Sequence, residues 1–124
     1  MTQRMRPLSP HVMIFRWPLN AIMSIMHRIT GVVMTAGGVL LVWWFLAASV
    51  SGSYFDAVNG LMTSVVGDLV MLGLLAALCH HFCNGIRHLI WDTGRGLGDR
   101  DVTLSSRISL GGSVILFAVI ILVG

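Results

Sequence analysis

The chain has 124 residues, 56% of them hydrophobic and only 10% charged, with a mean hydropathy of +0.85. A soluble domain of this size needs more polar surface, so the class is integral membrane protein. The net charge of +3 sets eight arginines against five aspartates; the arginines gather at the ends of apolar runs rather than along one face, which excludes a nucleic-acid binder.

The chain opens with Arg4, Arg6 and Arg16, interrupted by Pro7, Pro10 and Pro18. No compact apolar core precedes a small-residue cleavage site, so this segment is expected to be retained rather than removed as a signal. The first 20 residues read as a proline-punctuated arm at the membrane interface, a depth that suits Trp17. From about Asn20 the pattern turns helical and enters the first span.

Three uncharged runs follow, over 29–50, over 69–86 with 61–67 extending it back past Asp68, and over 108–124. A spanning helix needs about 20 apolar residues. The reading is an all-α membrane protein: one anchor domain over 1–124, with spans about 22–50, 60–91 and 106–124. Three helices close poorly on themselves, and polar residues of the second would then meet lipid. The chain is therefore expected to be part of a multi-subunit helix bundle.

Arginine placement sets the orientation. Arg4, Arg6, Arg16 and Arg28 precede the first span; the first connection, "SGSYFDAVNG", has none; the second, "RHLIWDTGRGLGDRDVTLSSR", carries Arg87, Arg95, Arg100 and Arg107. The N-terminus and second connection are expected on the cytoplasmic side, the first connection and C-terminus in the periplasm. Gly94, Gly96 and Gly98 follow no strand, so they mark a flexible loop rather than a dinucleotide site.

The second span ends in "LCHHFCNGIRHLIWD". Ionisable residues inside a membrane are costly and face protein or cofactor. His81, Gly85, His88 and Asp92 follow i, i+4, i+7, i+11 and share a stripe, which Ala77 extends. His80 lies about 100° away, with Asn84, Arg87 and Trp91. A haem in a helix bundle needs an imidazole beside a flat gap. Ala77 and Gly85 leave one at His81, a modest preference over His80. His88 lies roughly 10 Å further along the axis, suited to a propionate or a water chain. A hydrogen-bonded polar residue inside a bundle is the competing reading for each histidine. His27 sits at the entrance of the first span, too near the surface to face His81, so a second axial ligand from another subunit is the economical solution. Cys79 and Cys83 are too few for a four-thiolate cluster and read as apolar filler.

At the first threshold, "SIMHRITG", Ser24 and Arg28 are i, i+4 and share a helix face. A hydroxyl and a guanidinium together suit a carbonyl oxygen on a lipid-soluble molecule. On spacing alone, a snorkelling arginine beside a structural serine is the stronger reading.

"RPLSPHVMIFRWPLNAIMSIMHRITG" followed by "HHFCNGIRHLIWD" resembles the cytochrome b large membrane-anchor subunits of succinate dehydrogenase, respiratory complex II. The marks are an RP-x-SPH arm, an S-x-x-HR-x-[TS]G entry to the first span, and an H-x-x-x-G-x-RH-x-x-x-D run closing the second. The resemblance covers the three-span layout, hence nearly the whole chain. It implies that His81 is an axial ligand of haem b, with the second axial histidine from the small membrane-anchor subunit. It implies that Ser24 and Arg28 line the ubiquinone site, that His27 lies near a haem propionate, and that Asp92 lies near the quinone region. The quinone-site tyrosine comes from the small subunit in that family, in keeping with the lone Tyr54 in the opposite loop. The G-x-RH spacing selects His81 over His80. The role implied is non-catalytic on its own: a flavoprotein subunit and an iron–sulfur subunit dock on the cytoplasmic face of a bacterial inner membrane and pass electrons to ubiquinone.

The anchor of a fumarate reductase and a haem-less structural anchor are the nearest alternatives. A small proton-coupled transporter needs a mid-span carboxylate; the one candidate, Asp68, falls near the periplasmic end. Reporter fusions after Tyr54 and Gly124 are expected to report periplasm, and one after Gly96 cytoplasm; a cytoplasmic C-terminus would remove the three-span topology.

Overall fold

The computed structural model describes Pro10 and residues 14–124. Most of the expected interfacial arm, including Arg4, Arg6 and Pro7, lies outside the described residues. Four helices follow one another: α1 (Leu19–Val50), α2 (Gly52–Met62), α3 (Val65–Asp92) and α4 (Asp99–Val123). α1, α3 and α4 are long and apolar enough to cross a membrane. Their 32, 28 and 25 residues extend about 48, 42 and 38 Å at 1.5 Å per residue, against a hydrocarbon core of about 30 Å. The protein is an all-α membrane protein.

The connections are more ordered than their composition suggests. α1 begins after Pro18, whose carbonyl accepts the amides of Ala21 and Ile22. It ends where Ser51 turns extended, and the Ser51 hydroxyl caps the next helix by accepting the Tyr54 amide at 3.3 Å. The stretch read as a bare connection is thus the helix α2. It buries Val58 and Met62 against Ala47, beside Trp43, Trp44 and Met71, and Trp43 Nε1 donates to the Tyr54 hydroxyl at 2.8 Å. Ser64 caps α3 through the Gly67 amide at 3.2 Å. In the α3–α4 turn, Gly94 and Gly96 have φ of 76° and 70°, a region that side chains avoid. The turn is pinned by Trp91 Nε1 donating to the Gly96 carbonyl at 3.0 Å. α4 then starts with Asp99 and Asp101 in its first turn, where the helix dipole favours acids.

α3 is the central helix, packed on both α1 and α4. The seams use small residues: Gly37 and Ala47 on α1, Gly67 and Ala77 on α3, and Ser106, Ser109 and Ser113 on α4 are buried. Between membrane helices small residues let backbones approach closely, because lipid is as apolar as leucine and the hydrophobic effect drives little. Val32, Phe45, Leu69 and Ile115 point outward with 64–73% exposure, a surface for lipid or other helices.

Gly67 is the tightest point of the α2–α3 corner, where an added Cβ would run into the Met62 carbonyl. Gly67→Ala is expected to destabilise the subunit by about 1–3 kcal/mol, the range for overpacking. The check is a lower thermal midpoint of the purified protein, with Gly60→Ala, where a Cβ meets open space, as the control.

Candidate functional site

The polar residues of α1 and α3 meet near the start of α1 and the end of α3. His81 reaches across to α1, where its Nδ1 lies 3.1 Å from the His27 carbonyl oxygen and 3.2 Å from Thr30 Oγ1. The Thr30 hydroxyl gives its proton back to a carbonyl of its own helix, Met26 at 2.9 Å or His27 at 3.0 Å. Both partners of Nδ1 are therefore acceptors, and the ring must carry its proton there. That leaves the lone pair on Nε2. A metal-binding histidine is commonly held in this way, with the distal N–H on a carbonyl and the other nitrogen free.

The ring fits because α1 has no side chain where it lands. A Cβ at Gly31 would stand 3.2 Å from His81 Cε1. Thr30 and Gly31 thus receive His81, a role that sequence reasoning missed although both residues belong to the S-x-x-HR-x-[TS]G motif. The expected gap at Gly85 faces the His27 ring, whose Cε1 lies 3.9 Å from a Cβ built there.

His27 is not too shallow to face His81. Its ring stacks on His81 at 3.9 Å with 15° between planes, and on its other neighbour His88 at 4.9 Å, tilted by 36°. The helix starting at Leu19 carries His27 two turns inward, level with the end of α3. The stack still rules out a metal sandwiched by His27 and His81, since face-to-face rings cannot address one ion from opposite sides. Among the described residues no group of three or more His, Cys, Asp or Glu could hold a metal ion. His27 Nδ1 and His88 Nε2 are buried without a partner among the described residues; a bound acceptor or donor would satisfy them.

The stripe on α3 is as spaced: His81 and His88 both turn to α1, while Asp92 closes the helix in an exposed position. His80 lies off this stripe, and its Nε2 has no partner among the described residues. Arg87, counted in the sequence among the loop charges, is instead inside α3 and 4% exposed. It donates to Asn84 Oδ1 at 2.8 Å and to Ser105 Oγ at 3.2 Å, and lies 4.0 Å over the Trp91 ring. Removing it from the loops leaves, among the described residues, Arg16, Arg28, Arg95, Arg100 and Arg107 towards the helix ends. Ser24 is half-buried and Arg28 exposed on the opening turns of α1, one helical turn apart. A cavity of about 280 Å³ lies between α3 and α4, lined by Ile86, Ile90, Leu104 and Ile108 with Arg87 and Ser105, and by none of the histidines.

The family described as succinate dehydrogenase/fumarate reductase transmembrane subunit matches residues 2–120. The chain is similar to the succinate dehydrogenase cytochrome b556 subunit of Paracoccus denitrificans, 42% identical over 118 residues, covering 95% of this chain and 91% of that one. It is similar to the subunit of the same description from Rickettsia typhi, 33% identical over 111 residues, with 90% and 86% covered. It is also similar to the mitochondrial succinate dehydrogenase cytochrome b560 subunit of Sus scrofa, 37% identical over 109 residues, covering 85% of this chain and 63% of that one.

Proposed function

Since the chain belongs to the family of succinate dehydrogenase and fumarate reductase transmembrane subunits, we propose that it is the haem b-bearing large anchor of a succinate dehydrogenase. In this reading it docks the flavoprotein and iron–sulfur subunits on the cytoplasmic face of a bacterial inner membrane, and helps form the site where ubiquinone is reduced. Like its relatives named cytochrome b556, it holds haem b, with a second axial ligand from the small anchor subunit. The observation that carries the reading is the seat of His81. Its Nδ1 proton is committed to α1, so Nε2 presents a lone pair without rearrangement, the state that iron ligation needs.

His81 would be the residue of this chain that holds the haem iron. His27 and His88, with buried nitrogens that lack partners among the described residues, would bind the anionic edge of the group. Haem b, when bound, supplies a one-electron store beside the quinone. Ser24 and Arg28 orient the quinone by donating to a carbonyl oxygen. That oxygen grows more negative as electrons arrive, so both donors strengthen their hold during reduction and favour it over simple binding. The guanidinium offers N–H donors and no acceptor, so its part is electrostatic and positional. Protons therefore enter by water, along the face of His88 and Asp92. The arginines near Arg28, namely Arg95, Arg100 and Arg107, support the reading that this site faces the cytoplasm.

Two measurements test the reading on the assembled complex. His81→Leu is expected to remove or alter the low-spin b-type spectrum, while His80→Leu largely preserves it. The reverse result moves the ligand to His80, and a parent complex with no reduced-minus-oxidised b-type signal would leave a haem-less anchor. Arg28→Leu is expected to slow quinone-linked turnover strongly while succinate oxidation by an artificial acceptor continues. Ser24→Ala should act the same way but more mildly, since one neutral hydrogen bond is worth about 1 kcal/mol net. Normal quinone-linked turnover and inhibitor sensitivity in a fully assembled Arg28→Leu complex would make Arg28 a snorkelling anchor.

A further inference from the structure

We propose that Asn84 and Arg87 form a positioning brace that holds the opening turns of α1, and with them Ser24 and His27, in register against α3. The proposal rests on the reading of Ser24 and Arg28 as the quinone groups.

The brace runs across three helices. On α4, the Ser105 hydroxyl donates to the Val102 carbonyl at 3.1 Å, so its lone pairs face the Arg87 Nε at 3.2 Å. On α3, Arg87 Nη1 donates to Asn84 Oδ1 at 2.8 Å. From Asn84, Nδ2 donates to the Met23 carbonyl of α1 at 3.4 Å. Asn84 is 0% exposed and Met23 2%, so water does not compete for these bonds.

The chemistry of the guanidinium makes the order directional. It has five N–H donors and no acceptor. The amide atom facing it must be oxygen, which turns the NH₂ of Asn84 towards α1. Without Arg87 the amide is free to rotate, and an oxygen facing the Met23 carbonyl would repel it. A permanently charged side chain buried among neutral acceptors is costly inside a membrane. The Arg87 Nε and Nη1 are met by Ser105 and Asn84, while Nη2 has no partner among the described residues; the Nη1 bond is the one that orients the Asn84 amide. The carbonyl it secures belongs to the residue next to Ser24, and is the one that the amide of His27 faces one turn on.

Asn84→Asp separates the brace from plain support of Arg87. The carboxylate keeps, and strengthens, the partner of the buried arginine, but has no proton for the Met23 carbonyl. Two quantities are read on the assembled complex: amide hydrogen exchange over 20–28, and KM for a short-chain ubiquinone beside the succinate rate with an artificial acceptor. Exchange over 20–28 is expected to rise about three- to twentyfold, the span of interhelical hydrogen bonds in membranes, with 36–46 unchanged. Quinone KM should rise while the artificial-acceptor rate holds. Arg87→Met, which frees the amide to rotate, should shift both in the same direction. Parent-like exchange in Asn84→Asp overturns the brace, and so does raised exchange with an unaltered quinone KM. Ser24→Ala and Arg28→Leu, measured alongside, separate the two failures. If they change quinone kinetics and the brace variants do not, the brace alone falls; if they too change nothing, the quinone reading of α1 falls with it.

Discussion

The His81 imidazole gives its Nδ1 proton to the backbone and hydroxyl of α1 and lies against the bare Cα of Gly31. In an apolar medium an unmet ring N–H costs several kcal/mol, so this contact sets how α1 and α3 are turned towards each other. With His81 seated, His27 has little room except against its face, and His88, two turns on, meets the other side of the cluster. The three rings form one group because α1 can come close at the thirtieth and thirty-first residues.

Most other polar groups of α3 are met in a similar way, across helix seams. Asn84 Nδ2 donates to α1, Arg87 Nε to α4 and Arg87 Nη1 to Asn84, and the Trp91 ring lies under the guanidinium. Of the buried serines of α4, Ser106 and Ser113 bond back to the Val102 and Leu110 carbonyls of their own helix, and so let α4 lie close to α3 without polar orphans at those two positions. Among the described residues the buried nitrogens left without a partner are on His27, Trp44, His80, Arg87 and His88. All but Trp44 belong to the helix ends that the proposed function uses, and buried polar atoms without partners are where a ligand or a further subunit has most to offer.

At the other end of the membrane the structure is simpler. α2 lies back on α1 through Val58, Met62 and the Trp43–Tyr54 hydrogen bond. Tyr54, the one tyrosine of the chain, is engaged there and is remote in sequence from both histidine-bearing segments.

Much of this was legible in the sequence. Apolar runs require helices of spanning length, because lipid offers backbone groups no partner. The 3.6-residue period places His81, Gly85 and His88 on one face, with Asn84, Arg87 and Trp91 on the next. What stayed hidden involves pairs far apart along the chain. The depth of His27 depends on where α1 begins, which Pro18 decides. α2 lacks the length and hydropathy of a span, and its amphipathic face is recognisable only once Ala47 and Met71 are beside it. Arg87 looked like a loop charge because counting arginines ignores the direction a side chain takes on its helix. Periodicity fixes angles within one helix; it says nothing of how two helices are rotated and slid against each other. That choice belongs to the tertiary structure, since it turns on contacts such as His81 with Thr30, 51 residues apart, where a missing Cβ and two acceptors decide which nitrogen of the ring is left free.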